Sequence, residues 1–256
     1  MKKKIILFLI IVFILLIVGI YVYFVQLKNV TNNIRKENAK TVFSIDKITY
    51  FSSASAEIEV SNNTNFNNLF QYTDIALFIN NKNSSEIFNA ENTLKELYIS
   101  NIKFNTLPVL GEPNLYYKNI NDFATNKYNN ENIIQNNLYF SISSEENIDY
   151  NLPVLYNNCA NPITLCYVNS NIINNYSVSN STNTFYNDGS LLKHSNILLS
   201  SLKCTFSFDI FIVNNLNEKF KTTVNINIPL QDTTSSIYNG NFILEDNVNF
   251  IFENYN

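Results

Sequence analysis

A long apolar run begins the chain. Residues 5–25 carry no charge and are almost all large and apolar. As a helix they are about 31 Å long, which matches a hydrocarbon core of about 30 Å. A cleaved signal peptide has an apolar region of only about 7–15 residues before a small-residue cleavage site, and this run lacks such a site. The pattern predicts a single transmembrane signal anchor at residues 5–26.

Charges on both sides of this span set its predicted orientation. Three lysines, residues 2–4, lie directly before it, whereas on the far side only Lys28 is as close. Because positive charge beside a span favours the cytoplasmic side, we expect a cytoplasmic tail at residues 1–4 and the rest of the chain outside the cell membrane. Residues 27–40 are polar and predict a stalk or linker.

From Thr41 the hydrophobic period changes to two, the spacing of half-buried β-strands. The clearest run has six inward positions: Leu202, Cys204, Phe206, Phe208, Ile210 and Ile212. After a polar turn, residues 219–230 return with apolar residues again on one side. The two runs predict a β-hairpin with one face in a core.

Other runs predict further strands. They lie at residues 42–51, 56–60, 72–80, 97–104, 138–143, 152–156, 163–169, 172–178, 241–244 and 248–252. A short helical turn is predicted at residues 90–94, a break at 61–68, and a long loop or crossing between sheets at 105–119. This pattern predicts an all-β fold: a β-sandwich of jelly-roll or immunoglobulin-like type over residues 41–256. One domain is favoured over two split near Gly111.

Charge is unevenly divided along the chain. The formal net charge is −4, but residues 41–256 contain 10 lysines, no arginine and 20 acidic residues, a net charge of about −10. An acidic domain lacks the positive field that attracts nucleic acids and anionic lipids. The only membrane contact expected is therefore the span at residues 5–26, and no nucleic-acid partner is expected.

The amino-acid composition indicates the kind of organism that the protein comes from and a chain that folds. Asparagine forms about a fifth of the residues, with no tryptophan and only four glycines. That profile follows from AT-rich codons and indicates a bacterium with a low-GC genome. Disordered chains are poor in aromatic residues, whereas 14% of this chain is aromatic, so the domain has the residues for a real core.

No residue pattern indicates catalysis, and we predict no enzyme activity. His194 is the only histidine, and no G-x-S-x-G motif accompanies it. Two acid pairs, Glu145-Glu146 and Glu245-Asp246, are adjacent along strand-like runs, where successive side chains point to opposite faces. One histidine and three cysteines fit no zinc spacing, and there is no EF-hand pattern. No metal or cofactor is expected, although calcium bound by loop Asp and Asn oxygens is left open.

Two neighbouring tyrosines are the candidate glycan contacts. Tyr116 and Tyr117 lie in the segment NLYYKN, and tyrosine rings stack on sugar rings. Aromatic residues are also what a strand-rich core uses. Packing in the core is the interpretation that we favour, with glycan contact as the alternative.

The three cysteines predict one disulfide and one free thiol, because disulfides form outside the cytoplasm. Cys204 belongs to the inward face of the predicted hairpin, and Cys159 lies in a loop from which it can reach across. Leu165 and Tyr167 should face the core, which turns Cys166 the other way. We predict a Cys159–Cys204 bridge and a free thiol at Cys166.

Four segments carry a resemblance to a known group of proteins. In chain order they are AENTLKELYISNIKF, GEPNLYYKN, CANPITLCYVN and SLKCTFSFDIFIVNN. Together with the N-terminal anchor, they resemble uncharacterised membrane-anchored proteins of low-GC Gram-positive-type bacteria. The resemblance implies an extracytoplasmic β domain and assigns no functional residue.

These observations predict a non-enzymatic, single-pass envelope protein. Its acidic β-sandwich would serve adhesion, envelope structure or assembly with other envelope proteins. The alternative is a module that binds cell-wall or host glycan. An envelope hydrolase is a third hypothesis, which would require two carboxylates that face each other across a cleft.

Overall fold

The computed structural model describes most of the predicted β domain and part of the predicted anchor. The described residues are 16–26, 43–60, 63–81, 94–135, 137–141, 154–155, 162–179 and 186–255. The chain divides into two compact units, Met1–Lys40 and Thr41–Asn256.

In the first unit, residues 16–26 are helical. Within the described ranges, no helix has both the length and the apolar character needed to cross a membrane. Residues 5–15 of the predicted span lie outside the described residues, as do the predicted tail at 1–4 and the predicted stalk at 27–40.

The described part of the second unit is mostly β, which confirms the all-β prediction. Its strands are β1 (Phe43–Val60), β2 (Asn63–Asn81), β3 (Leu94–Thr106), β4 (Glu112–Tyr117), β5 (Leu138–Ser141), β6 (Val154–Leu155), β7 (Ile163–Ile173), β8 (Tyr176–Ser179), β9 (Thr205–Asn214), β10 (Lys219–Asn227), β11 (Phe242–Ile251) and β12 (Glu253–Asn254). Helical structure is limited to a short α-helix, Ser190–His194, and to 3-10 turns at Ile120–Asp122, Asn130–Asn132, Leu199–Leu202 and Ile237–Asn239.

The strands form two sheets. Sheet A has the order β11-β1-β2-β7-β4, and β8 also pairs with β2. Sheet B has the order β12-β10-β9-β3-β5-β6. Described pairs are antiparallel except for the short β5–β6 pair, which is parallel. The long hairpin of β1 and β2 forms the centre of sheet A, because it pairs over almost its whole length.

The hairpin predicted between the two clearest strands is confirmed as β9 and β10, which pair in continuous register. Asn214 holds the turn, since its Oδ1 accepts hydrogen bonds from the backbone N–H groups of Leu216 (3.0 Å) and Glu218 (2.9 Å). The predicted inward positions on β9 are at most 1% exposed: Phe206, Phe208, Ile210 and Ile212.

Several strand limits differ from the predictions. The break predicted at 61–68 belongs to β2 from Asn63 onward, because β1 and β8 both pair with this stretch and satisfy its backbone groups. The two strands predicted at 241–244 and 248–252 are largely one strand, β11. The long loop predicted at 105–119 contains β4. The helical turn predicted at 90–94 lies almost wholly outside the described residues, and the strand predicted after it is confirmed as β3.

The main hydrophobic core of the described residues takes its buried side chains from both sheets. Its largest fully buried side chains are Phe43, Phe66, Tyr167, Phe206, Phe208, Phe242 and Phe252. The rings of Tyr167 on β7 and Phe206 on β9 stack with their centroids 6.0 Å apart and their planes 9° apart. Since β7 belongs to sheet A and β9 to sheet B, this stack joins the two sheets.

Candidate functional site

The face of sheet A that points away from this core carries a second, smaller buried cluster. Its apolar part consists of Phe51, Tyr72, Tyr116, Cys166 and Val168. Three strands hold it in register: Asp74 on β2 lies opposite Cys166 on β7, which lies opposite Tyr116 on β4. We call this surface the outer face of sheet A.

A buried ion pair lies within this cluster. The Nζ of Lys118, the residue after β4, lies 2.8 Å from both Oδ1 and Oδ2 of Asp74. The Lys118 and Asp74 side chains are 2% and 0% exposed. Nζ also donates to the Thr125 carbonyl at 2.6 Å, and the Ala124 N–H donates to Asp74 Oδ2 at 2.8 Å. Both buried charges are therefore paired and hydrogen bonded, as their desolvation requires.

Residues 118–132, which we call the covering segment, lie over the outer face of sheet A, where Phe123 packs against Phe51 and Tyr128 against Phe70. Two 3-10 turns shape the segment, and the side chains of Asn119 and Asn129 cap them. Between the turns Ala124 has a φ of 63°, a left-handed conformation that costs a residue with a Cβ roughly 1–2 kcal/mol. The hydrogen bond from its N–H to Asp74 offsets this cost, so the ion pair also fixes the path of the segment.

Aromatic rings belong to the same cluster as the ion pair. The Tyr72 ring centroid lies 5.3 Å from Lys118 Nζ, and burial raises the pKa of Tyr72 to about 12. Tyr128 of the covering segment packs against Phe70 and Tyr116, with ring centroids 5.6 and 5.0 Å apart. At this position the two charged side chains are at most 2% exposed.

The cysteine in this cluster is not an activated nucleophile. Burial raises the pKa of the Cys166 thiol well above its ordinary value, and the negative charge of Asp74 raises it further. Because the thiolate is the reactive form, this environment keeps Cys166 inert. Burial also raises the pKa of the Asp74 carboxyl, against the opposing charge of Lys118.

Beside the covering segment lies an open groove of about 510 Å³. Five asparagine side chains line it: Asn68, Asn126, Asn130, Asn171 and Asn187. They are accompanied by two aromatic rings, Phe70 and Tyr128, and by one carboxylate, Glu57. Among the described residues that line the groove there is no lysine or arginine. The lining therefore offers hydrogen-bond donors, acceptors and apolar ring surface, but no cation.

Irregular strand pairing builds this groove. The β1–β2 register shifts between Ser55 and Glu57, and the β2–β7 register shifts between Leu69 and Gln71. Asn68 and Asn171 beside these shifts have φ of 52° and 56°, a region in which asparagine is enriched among non-glycine residues. Bulges turn side chains out of the regular alternation, and here they bring asparagines from two strands to one surface.

The two predicted glycan contacts are separated. Tyr116 is buried in the cluster at 7% exposure, so packing explains it. Tyr117 is half-buried and lines a smaller hollow of about 210 Å³ together with Lys118, Asp122 and Tyr128. The groove was not predicted from the sequence, although asparagines lie close to Phe70 and Tyr128 in the chain.

Cys204, which we predicted to pair with Cys159, is a free thiol in the structure, and the bridge itself stays a prediction. Cys204 does face the core, as predicted, and is fully buried there beside Tyr167. Cys159 lies outside the described residues. Cys166 is also a free thiol in the structure; it points away from the core, and the covering segment buries it.

Of the two acid pairs and the histidine, the structure describes Glu245-Asp246 and His194. Glu245 and Asp246 are exposed neighbours on β11, and Glu145-Glu146 lies outside the described residues. His194 is exposed at the end of the short α-helix. In the described ranges, no group of three or more His, Cys, Asp and Glu side chains is arranged to hold a metal ion.

No protein-family model, curated protein or solved structure matches the chain. What the outer face of sheet A is able to bind therefore follows from its own residues. These are amide and hydroxyl groups beside two aromatic rings and one carboxylate.

Proposed function

We propose that the chain is a non-enzymatic, single-pass envelope protein whose acidic β domain binds neutral glycan in the groove beside the covering segment. The observation that carries the proposal is the lining of that groove by amides and two rings without a cation. Amide groups both donate and accept hydrogen bonds, as sugar hydroxyls do. The absence of a cation among the described lining residues, in a domain of net negative charge, disfavours anionic ligands.

We place this groove on a β-sandwich of jelly-roll or immunoglobulin-like type. The supporting observation is the main core shared by two sheets, with Tyr167 stacked on Phe206 between them. Sheets that pack face to face share a core of this kind. The outer face of sheet A, with its bulges, is then available for binding.

The domain is displayed outside the cell membrane, on an anchor at residues 5–26. The apolar run itself supports this location, because a helix that is hydrophobic on all sides belongs in an apolar environment. In the described part of the run the apolar side chains are exposed; Tyr21, for example, is 69% exposed. The resemblance to membrane-anchored envelope proteins supports the same location. Cell-wall or host glycan is the ligand such a domain meets, in adhesion or envelope structure.

The proposal is tested with the full-length chain in detergent micelles. We expect it to bind at least one neutral glycan on a glycan array. Binding to none of the neutral glycans on the array would contradict the glycan proposal. Retention of another purified envelope protein, without glycan, would instead favour a role in protein assembly.

The location is tested by protease treatment of intact cells. We expect the chain in the membrane fraction, with its β domain cleaved by protease added outside. Recovery as a soluble cytosolic protein would contradict the envelope assignment.

A further inference from the structure

We propose that Lys118 and Asp74 condense to an intramolecular amide, an isopeptide bond that links β2 covalently to the start of the covering segment. This modification site is separate from the groove and does not depend on the proposed function. It is inferred from three features of the ion pair: its isolation from water, its geometry and the groups that contact it.

Isolation from water favours the condensation. The two side chains are 2% and 0% exposed, and the cluster around them contains Phe51, Tyr72 and Val168. A dry environment disfavours separated charges and so favours proton transfer from the ammonium to the carboxylate. The raised pKa of the Asp74 carboxyl also favours the protonated acid. The resulting pair, a neutral amine and a carboxylic acid, is the reactive one.

The geometry brings the reacting atoms together. Lys118 Nζ lies 2.8 Å from each oxygen of the Asp74 carboxylate. Equal distances to both oxygens place the nitrogen close to the carboxyl carbon between them, the proximity that a near-attack arrangement needs. Holding two reactants in this way replaces a bimolecular encounter by a unimolecular step.

Two backbone groups support the attack of the Lys118 nitrogen on the Asp74 carboxyl carbon. The Thr125 carbonyl accepts a hydrogen bond from Nζ at 2.6 Å and so orients the amine. The Ala124 N–H donates to Asp74 Oδ2 at 2.8 Å, where negative charge develops when the nitrogen attacks the carbon. A fixed donor at that position stabilises the tetrahedral intermediate.

The condensation of Lys118 with Asp74 needs no further reactant. One proton passes from the Lys118 ammonium to the Asp74 carboxylate, and the neutral nitrogen then attacks the carboxyl carbon. A second proton moves from the nitrogen to the departing hydroxyl, which leaves as water. The product is one amide N–H between the two side chains, and no oxidation or reduction takes place.

The isopeptide bond would hold three strands of sheet A together. Asp74 is on β2 and Lys118 follows β4, with Cys166 of β7 between them in register. The amide would close a covalent ring through residues 74–118 around this part of the sheet. A cross-link of this type limits unfolding of the ring.

Intact-mass spectrometry of the purified full-length chain under denaturing conditions tests the proposal. We expect the wild type to be lighter than its sequence mass by one water molecule. Trypsin should no longer cleave after Lys118, and the peptides that contain Asp74 and Lys118 should be recovered joined after reduction. A chain of full mass with separate peptides would show an ion pair only and overturn the proposal.

Variants locate the reaction. Lys118→Arg keeps the positive charge without a condensing amine and should restore the full mass. Asp74→Asn should lose one ammonia molecule instead of water. Lys127→Arg, in the same covering segment but exposed, is the matched control and should remain lighter by one water. Loss of water from the Lys118→Arg variant would place the dehydration elsewhere and contradict the assignment. The mass of the wild type decides the question even where a variant does not fold.

Discussion

At the residue scale, an acidic domain with few cations uses its lysines at specific places. Lys118 neutralises Asp74 on the outer face of sheet A. On sheet B, Lys221 Nζ lies 2.7 Å from Asp209 Oδ2. Asp209 also accepts hydrogen bonds from Thr223 at 2.6 Å and Asn101 at 2.7 Å. The Lys118–Asp74 pair joins two segments that are distant in the chain. The Lys221–Asp209 pair joins two adjacent strands.

The Asp209 contacts make stability depend on pH. Burial alone would raise the pKa of Asp209, but hydrogen bonds from Lys221, Thr223 and Asn101 lower it below its ordinary value. A carboxyl with a lowered folded-state pKa stabilises the fold above its unfolded-state pKa and loses that contribution as pH falls through the folded-state value. We expect Asp209→Asn to lower the Tm at pH 7, and its difference from wild type to shrink below about pH 4.

Thermal unfolding at a series of pH values measures this effect. Asp246→Asn, at an exposed position on β11, is the matched control and should leave the Tm close to wild type. A Tm difference for Asp209→Asn that stays constant down to pH 2 would show that the charge of Asp209 has no part in it.

At the element scale, the β9–β10 hairpin supplies much of the core. Phe208 on β9 is 1% exposed and contacts Phe206, with ring centroids 6.2 Å apart. Removing a buried phenylalanine leaves a cavity and loses its transfer energy, so we expect Phe208→Ala to lower the free energy of unfolding by about 3–5 kcal/mol. Asn225→Ala, exposed on β10, should change it by no more than about 0.5 kcal/mol. Urea denaturation compares the two, and equal effects would contradict the assigned faces.

Some elements were predictable from the sequence because alternation alone defines them. The hairpin alternates regularly along β10 and over the first half of β9, and its inward face follows from period two. β4 was hidden in a segment with prolines and a glycine, and it is a strand because β7 provides its pairing partner. The asparagine-rich start of β2 was predicted as a break because asparagine has a weak local preference for strand. In the structure, tertiary pairing outweighs that preference.

The candidate site was less predictable than the fold. The alternation of residues predicted that Cys166 lies on the face away from the core, but it did not indicate that residues 118–132 would cover that face. The covering depends on a contact between Lys118 and Asp74, which are far apart in the chain and two strands apart in the sheet. No local pattern reports such a pairing, and the groove beside it arises from bulges that break the pattern.

At the scale of the whole molecule, the two faces of sheet A have different roles in this account. One face shares the main core with sheet B, and the other holds the covering segment and the groove. The covalent link proposed between Lys118 and Asp74 would fix the segment that forms one wall of the groove. A pre-formed groove loses less conformational entropy when it binds a ligand, which suits a domain that works by binding.

The most direct test of this account is the affinity of the full-length chain for a glycan identified on the array, compared across groove and control variants. Asn130→Ala and Tyr128→Leu remove an amide and a ring that line the groove, whereas Asn225→Ala removes an exposed amide on sheet B. Isothermal titration should show binding weakened about tenfold or more by each groove variant, about 1.4 kcal/mol, and unchanged by the control. Equal affinity in all three variants would contradict the groove as the binding site.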